Sequence, residues 1–232
     1  LAREGLLYNL NNVKYIDFTK NYWNPKVNQA LTYDGKLYFT SSDFSLRDKS
    51  RAYIMVYNRD MVNEYNLGDP FGLVRDGTWT IDIMTKWSKA VANDINGNGE
   101  VDDQDIFGIS MDSQNAFATL MTACDNTILT KNNQDEFELT MNNEHTINSI
   151  DKVLTLTGSP NEAIFCEDWQ GKVDYDFWAV SSKIFKEGRA LFNMAFPHSL
   201  QSFSADCDFE YGIIPFPKYD EKQKNYYTLA DK

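Results

Sequence analysis

The 232-residue chain reads as an α/β fold. Helical apolar spacings alternate with short continuous runs of β-forming residues. The run at 52–57 (Ala-Tyr-Ile-Met-Val-Tyr) has the character of a central strand buried on both faces, 106–110 (Ile-Phe-Gly-Ile-Ser) reads as a buried strand, and 190–195 (Ala-Leu-Phe-Asn-Met-Ala) and 211–215 (Tyr-Gly-Ile-Ile-Pro) read as strands. The length suffices for one large domain or two small ones with a real core.

The elements follow in order. Residues 1–40 alternate short apolar runs with turn residues. Within them, Tyr33-Asp34-Gly35-Lys36-Leu37-Tyr38-Phe39 reads as a hairpin, because Asp-Gly between apolar residues favours a tight turn. The polar stretch 41–51 reads as a loop or hinge, and 58–62 as the start of a short helix after the strand 52–57. Thr78 is the expected N-cap of a helix carrying Trp79, Ile83, Trp87, Ala90 and Val91 at helical spacing. Phe117, Leu120, Met121 and Cys124 mark a further helix, and 137–140 a short strand. Ile147, Ile150, Val153 and Leu154 mark another helix, which Gly158 and Pro160 end. Phe177, Val180, Ile184 and Phe185 mark a fourth, closed by Gly188.

Between the Trp79 helix and the strand 106–110 lies Asp94-Ile95-Asn96-Gly97-Asn98-Gly99-Glu100-Val101-Asp102-Asp103-Gln104-Asp105. Oxygen-bearing side chains fall at positions one, three, five, nine and twelve, and glycine at six, as in an EF-hand calcium loop. Ca²⁺ takes roughly six to eight hard oxygen ligands, so the chain must coil around the ion to supply them. Asp94, Asn96, Asn98, Asp102 and Asp105 are the candidate side-chain ligands, and Glu100 contributes its backbone carbonyl. Position twelve is Asp where the motif prefers Glu, a shorter reach that lets water into the shell. A strand follows the loop rather than a second helix. The expected role is therefore one structural ion, not a sensor. An acidic Asn/Gly turn with no ion is the plainer alternative.

Composition narrows the function. The net charge is −12, which disfavours nucleic acid and anionic membrane surfaces. Aromatic residues make up 14% of the chain, which suits neutral polar ligands that stack on rings. The three cysteines, Cys124, Cys166 and Cys207, are odd in number and lack metal-binding spacing, so no disulfide framework is expected. One bridged pair stays open. No apolar run is long enough to span a membrane, and the chain shows no signal segment. Its two histidines lie far apart and form no Ser-His-Asp pattern, and no phosphate-cradling glycine loop is present.

Several separated segments, in order, resemble the extracellular solute-binding proteins of ABC sugar transporters, the branch that includes maltose-binding protein. They are Gly5-Leu6-Leu7, the 33–38 hairpin, Val56-Tyr57-Asn58-Arg59-Asp60-Met61, Thr78-Trp79-Thr80, the 94–108 loop and strand, Phe185-Lys186-Glu187-Gly188-Arg189-Ala190-Leu191, and Tyr211-Gly212-Ile213-Ile214-Pro215-Phe216-Pro217-Lys218. Thr80 departs from the acid that the family carries there. The resemblance implies a periplasmic-binding-protein-like lobe of type II, a mixed sheet flanked by helices, with part of the second lobe. It divides the chain into a partial N-terminal lobe and hinge entry (1–51), a C-terminal lobe holding the calcium-type loop (52–226), and a return crossover (227–232). It also implies a piece of a longer lipoprotein, extracellular and lipid-anchored, monomeric, that meets permease subunits and closes on a carbohydrate about a hinge at 50–53 and 227–231.

By the same resemblance, Asn115 would hydrogen-bond sugar hydroxyls, Phe117 and Phe196 would stack on sugar faces, and Asp43 and Arg51 would reach hydroxyls from the hinge side. Each residue has a plainer role too. Asn115 fits a helix cap, Phe117 a core position, Phe196 the end of a strand, and Asp43 and Arg51 solvated charges. The expected protein is a binder and not an enzyme. The alternatives are a glycoside-active domain using paired carboxylates and a dockerin-like calcium module, although a dockerin carries two such loops.

Overall fold

The structure, a computed structural model, describes residues 1–2, 4–44, 50–102, 104–159 and 161–230. Part of the expected 41–51 loop (45–49), loop position ten (Asp103), the helix stop Pro160 and the end of the return crossover (231–232) lie outside them.

In chain order the helices are α1 (Pro25–Leu31), α2 (Arg59–Glu64), α3 (Pro70–Arg75), α4 (Ile81–Val91), α5 (Ser113–Ala123), α6 (Glu144–Thr157), α7 (Val180–Lys186) and α8 (Leu200–Asp206). The strands are β1 (Thr32–Tyr33), β2 (Lys36–Leu37), β3 (Ile54–Asn58), β4 (Phe107–Met111), β5 (Leu129–Lys131), β6 (Phe137–Leu139), β7 (Ala163–Phe165), β8 (Ala190–Ala195) and β9 (Tyr211–Ile214). They form two compact units. The smaller comprises Leu1–Ser50 and Thr127–Met141, the larger Arg51–Asn126 and Asn142–Asp231.

In the smaller unit β1 and β2 form the expected hairpin, with Asp34 and Gly35 both at positive φ (50° and 66°), as a tight two-residue turn requires. A second hairpin, β5–β6, supplies Phe137, which stacks on Tyr33 with ring centroids 5.9 Å apart.

The larger unit is built on a five-stranded sheet of order β7-β4-β8-β3-β9. The pairs β7/β4 and β4/β8 are parallel; β8/β3 and β3/β9 are antiparallel. The sheet is mixed, and all of β4 and β8 is buried. Strand alternation sends Met55, Tyr57, Ile109, Met111 and Phe192 to one face, against Trp79, Met84, Trp87 and Val91 at the start of and along α4 and against Leu120 of α5. Val56 and Ile164 go to the other face, against Val180, Ile184 and Phe185 of α7 and Phe203 of α8.

At Gly108, near the start of β4, an added Cβ would lie 2.5 Å from the Glu162 carbonyl oxygen and 2.6 Å from Ser88 Cα. A glycine here lets α4 and the chain entering β7 sit directly on the strand.

Two expectations change. The Trp79 helix begins at Ile81 with Thr80 as N-cap, not at Thr78. Ile81 N donates to Lys218 O and Lys218 N to Trp79 O, and this parallel bridge holds 79–81 extended. Thr78 instead donates its hydroxyl to Leu73 O. On α6, Ile147 and Leu154 are each 55% exposed, while Thr146, Ser149, Val153 and Leu156 are buried. The helix turns its small side chains toward α4 and α5, where they allow close packing. Ser149 Oγ donates to His145 O, so its burial leaves no donor unpaired.

Candidate functional site

β4 and β8 end at the same side of the sheet, and a cavity of about 330 Å³ opens beyond them. Its aromatic walls are Tyr53, just before β3, Phe196, just after β8, and Trp178, from the turn before α7. Tyr53 and Phe196 pack with ring centroids 4.3 Å apart, and His198 stacks on Phe196 at 5.2 Å. Trp178 is half-exposed, its ring available from solvent.

The polar lining comes from helix starts. Asp112 caps α5, its Oδ1 accepting the N–H of Asn115 at 2.7 Å. Asn115, Ser181, Ser182 and Ser199 complete the rim. At the base, the Asn193 amide nitrogen lies 2.8 Å from both Ser110 Oγ and Ser181 Oγ. Fully buried, it ties β4, β8 and α7 together with its donors satisfied.

Behind this wall, Glu167 accepts the N–H of Ser113 at 2.8 Å and that of Gln114 at 3.3 Å. Burial pushes the Asp112 carboxyl above its ordinary range, and the nearby Glu167 charge adds to the shift. Burial also pushes Glu167 up, but the Ser113 hydrogen bonds outweigh it and hold the carboxyl below its ordinary value. Cys166, which shares the cavity floor, is driven well above the usual thiol range by burial and by its contact with Glu167. Burial raises Cys124 to about 12, so neither thiol is activated. All three cysteines are free.

Of the five residues the sequence nominates for ligand contact, the cavity brings together Asn115 and Phe196. Asn115 is not the helix cap of its plainer reading: Asp112 caps α5, and Asn115, in the first turn, supplies the N–H that the cap accepts. Phe117 is 41% exposed on α5 and outside the lining, so it joins neither the cavity nor the core. Asp43 is exposed in the smaller unit, its N–H bound to Tyr22 O. Arg51 is half-buried at the start of the larger unit. Next to it, Tyr53 N donates to Leu229 O, Thr228 Oγ1 to Tyr53 O, and Ala52 bridges Ala230. Residues 52–53 and 228–230 thus run side by side as an antiparallel pair.

Sequence reasoning missed Tyr53, Asp112, Trp178 and Ser199. Asp112 was detectable as the polar residue between a strand and a helix. Trp178 stood out in the aromatic, acidic run 174–178.

The 94–105 loop leaves the opposite end of β4. Its base is closed by mutual hydrogen bonds between Asn93 and Ile106. Asn96 Oδ1 accepts the N–H of Asn98, Asn98 Oδ1 that of Glu100, and Asp102 Oδ1 that of Gln104. Asp94 accepts from Gly97 and Gly99. Gly99 has φ +75°, as the turn at position six demands. Asp102 Oδ2 receives the amide nitrogens of Asn96 and Asn98, and its hydrogen bonds, that from Gln104 foremost, lower its carboxyl from the ordinary value. Asp105 is fully buried. Its Oδ2 accepts the N–H of Asp102, while Oδ1 has no partner. Among the described residues no group of three His, Cys, Asp or Glu is gathered as a metal cluster. The donor set nevertheless suits a hard cation, since it is all oxygen, and the bare buried oxygen is a costly group that a cation would satisfy.

No family model and no curated protein matches the chain. Solved structures do. A cyclo/maltodextrin-binding protein complexed with maltotetraose is 18% identical, with a TM-score of 0.59 over 98% of this chain and 49% of that one. The maltose/maltodextrin-binding domain of Bdellovibrio bacteriovorus bound to maltotriose is 18% identical, with a TM-score of 0.58 over 93% and 48%. An ABC substrate-binding protein of Listeria monocytogenes in complex with cycloalternan is 17% identical, with a TM-score of 0.56 over 91% and 48%. The chain spans about half the length of the structures it matches. It has the fold of the corresponding part of the sugar-binding proteins of ABC transporters, a periplasmic-binding-protein-like α/β fold.

Proposed function

We propose that this chain belongs to the substrate-binding component of an ABC importer and holds a carbohydrate at the Tyr53–Phe196–Trp178 cavity. One observation carries the reading. In a fold whose solved counterparts hold oligosaccharides, the cavity joins aromatic rings to a rim of carboxylate, amide and hydroxyl groups. Sugars need that mixture, because their C–H faces stack on rings while their hydroxyls need partners once water leaves. Phe196 and Trp178 stack, and Asp112 and Asn115 take hydroxyls. The protein works outside the cell, anchored by lipid, and hands its cargo to permease subunits. Among the described residues no helix is long and apolar enough to cross a membrane. Asp112 is the one carboxylate in the described lining, whereas glycoside hydrolysis generally uses two, which favours capture over turnover.

The 94–105 loop holds Ca²⁺ through Asp94, Asn96, Asn98, Asp102, Asp105 and the Glu100 carbonyl. The ion neutralises the buried Asp105 oxygen and braces the entry to β4. It has no part in the chemistry of the ligand.

A thermal melt across maltose, cellulose, xylan and chitin oligomers, with calcium present, tests the cargo. A ligand that binds only the folded state raises the midpoint by mass action. A rise with one class and no turnover supports the reading. Cleavage of a bound oligomer, abolished by Asp112→Asn, would replace it with the enzymatic one.

A further inference from the structure

We propose that the cavity selects by charge, taking glycans that carry a protonated amine ahead of neutral ones and rejecting anionic ones. This rests on the carbohydrate reading above and names the class of sugar within it.

Among the described residues no Lys, Arg or His lines the cavity. His198 meets Phe196 by stacking and is not part of the lining. The wall does hold Asp112, with Glu167 directly behind it. A helix N-terminus is a ready anion site when its N–H groups are open. Here those of α5 are taken: Ser113 and Gln114 donate to Glu167, and Asn115 donates to Asp112. Two carboxylates therefore oppose the positive end of one helix, worth about half a charge. The local balance is negative, and the donors a phosphate, sulfate or uronate would need are already used.

Burial of Asp112 carries a cost that a cation would remove. Its elevated carboxyl is the sign of an anion short of compensation, and an ammonium beside it would supply that compensation through a charge-assisted hydrogen bond. Trp178 adds a half-exposed ring at the same cavity, a surface that attracts ammonium as well as C–H groups.

The test is titration calorimetry of the full chain at low salt with three matched oligomer series. These are β-1,4-glucosamine oligomers below the amine pKa, their N-acetylated counterparts, and oligogalacturonates. The expected order is amine, then neutral, then anion, with about tenfold or more between amine and neutral. Asp112→Asn keeps a good helix cap and the shape of the wall, so it should fold. It should collapse the amine-to-neutral ratio toward one, because the amine series loses far more affinity than the neutral one. Glu167→Gln should lower the ratio by a smaller factor. Equal binding of amine and neutral oligomers, tighter binding of the anion, or an unchanged ratio in Asp112→Asn overturns charge selection and leaves the carbohydrate reading standing. Failure of every series to bind overturns both.

Discussion

Strand β4 has a carboxylate near each end, and the two are satisfied differently. Asp105, two residues before the strand, is fully buried and has one oxygen with no protein partner. Asp112, directly after the strand, is half-buried and capped by a helix N–H. At the loop end, the chain curls its oxygens into a small ring closed by its own backbone. At the cavity end, the helix supplies the donors and leaves a carboxylate facing open space. The comparison separates two uses of negative charge. A bare buried oxygen calls for a cation that stays, whereas a capped carboxylate on a cavity wall suits a ligand that comes and goes.

The largest test strikes the strand that joins the two ends. Gly108→Ala drives a methyl group into Ser88 and the Glu162 carbonyl. It should cost about 3 kcal/mol in urea denaturation and weaken the calcium and ligand responses together. A midpoint like that of the parent would mean the two elements can separate at no cost.

Calcium comes next. At a hundred times its dissociation constant the ion should add about 2.7 kcal/mol of stability, removable by chelator. Asp105→Asn should abolish most of that gain, and Asp112→Asn should leave it intact. Equal calcium responses in both variants would end the distinction between the two carboxylates.

Asp112→Ala removes the cap of α5 and should cost about 1 kcal/mol by thermal melting, while Asp112→Asn stays near the parent. Identical losses in the two variants would point to the charge and not the cap.

The smallest effects lie in pH dependence. The Asp112 carboxyl is raised in the folded state, so it favours folding at acid pH. That contribution is lost as pH rises from the ordinary carboxylate value through the elevated one. Glu167 is lowered, so its contribution is present above the ordinary value and lost as pH falls through the depressed one. Denaturation across acid pH should therefore show Asp112→Asn flattening the first trend and Glu167→Gln the second. Parallel profiles for the two variants would contradict the opposite signs.

The legibility of the sequence differs between fold and site. Strands β3, β4 and β8 stood out as apolar runs because each is buried along most of its length, and the edge strand β9 stood out as an apolar run although Ile213 is exposed. The 52–57 run suggested a strand covered on both faces, and β3 is, yet it pairs antiparallel with both neighbours, a choice made by β8 and β9. Strand β7 has only three residues, Ala163–Phe165, a run too short to mark a strand by itself; it is fixed by parallel pairing with β4. At the cavity, Phe196 and Asn115 were nominated only through the resemblance to sugar-binding proteins; their local positions alone suggested a strand end and a helix cap. Trp178, Tyr53 and Ser199 come from three other segments and meet only when β3, α7 and β8 pack.

What the sequence by itself determined are the local conformations: the Asp34-Gly35 turn, the glycines and Asx turns of the 94–105 loop, and the apolar spacing that makes α4 and α5 helices. These depend on backbone sterics and on hydrogen bonds within a few residues. The tertiary structure alone decided where α4 starts, which face α6 buries, how β3 pairs, and which side chains share the cavity. Those depend on partners such as Lys218 for Thr80, far apart along the chain, and no local pattern encodes which distant segment will arrive.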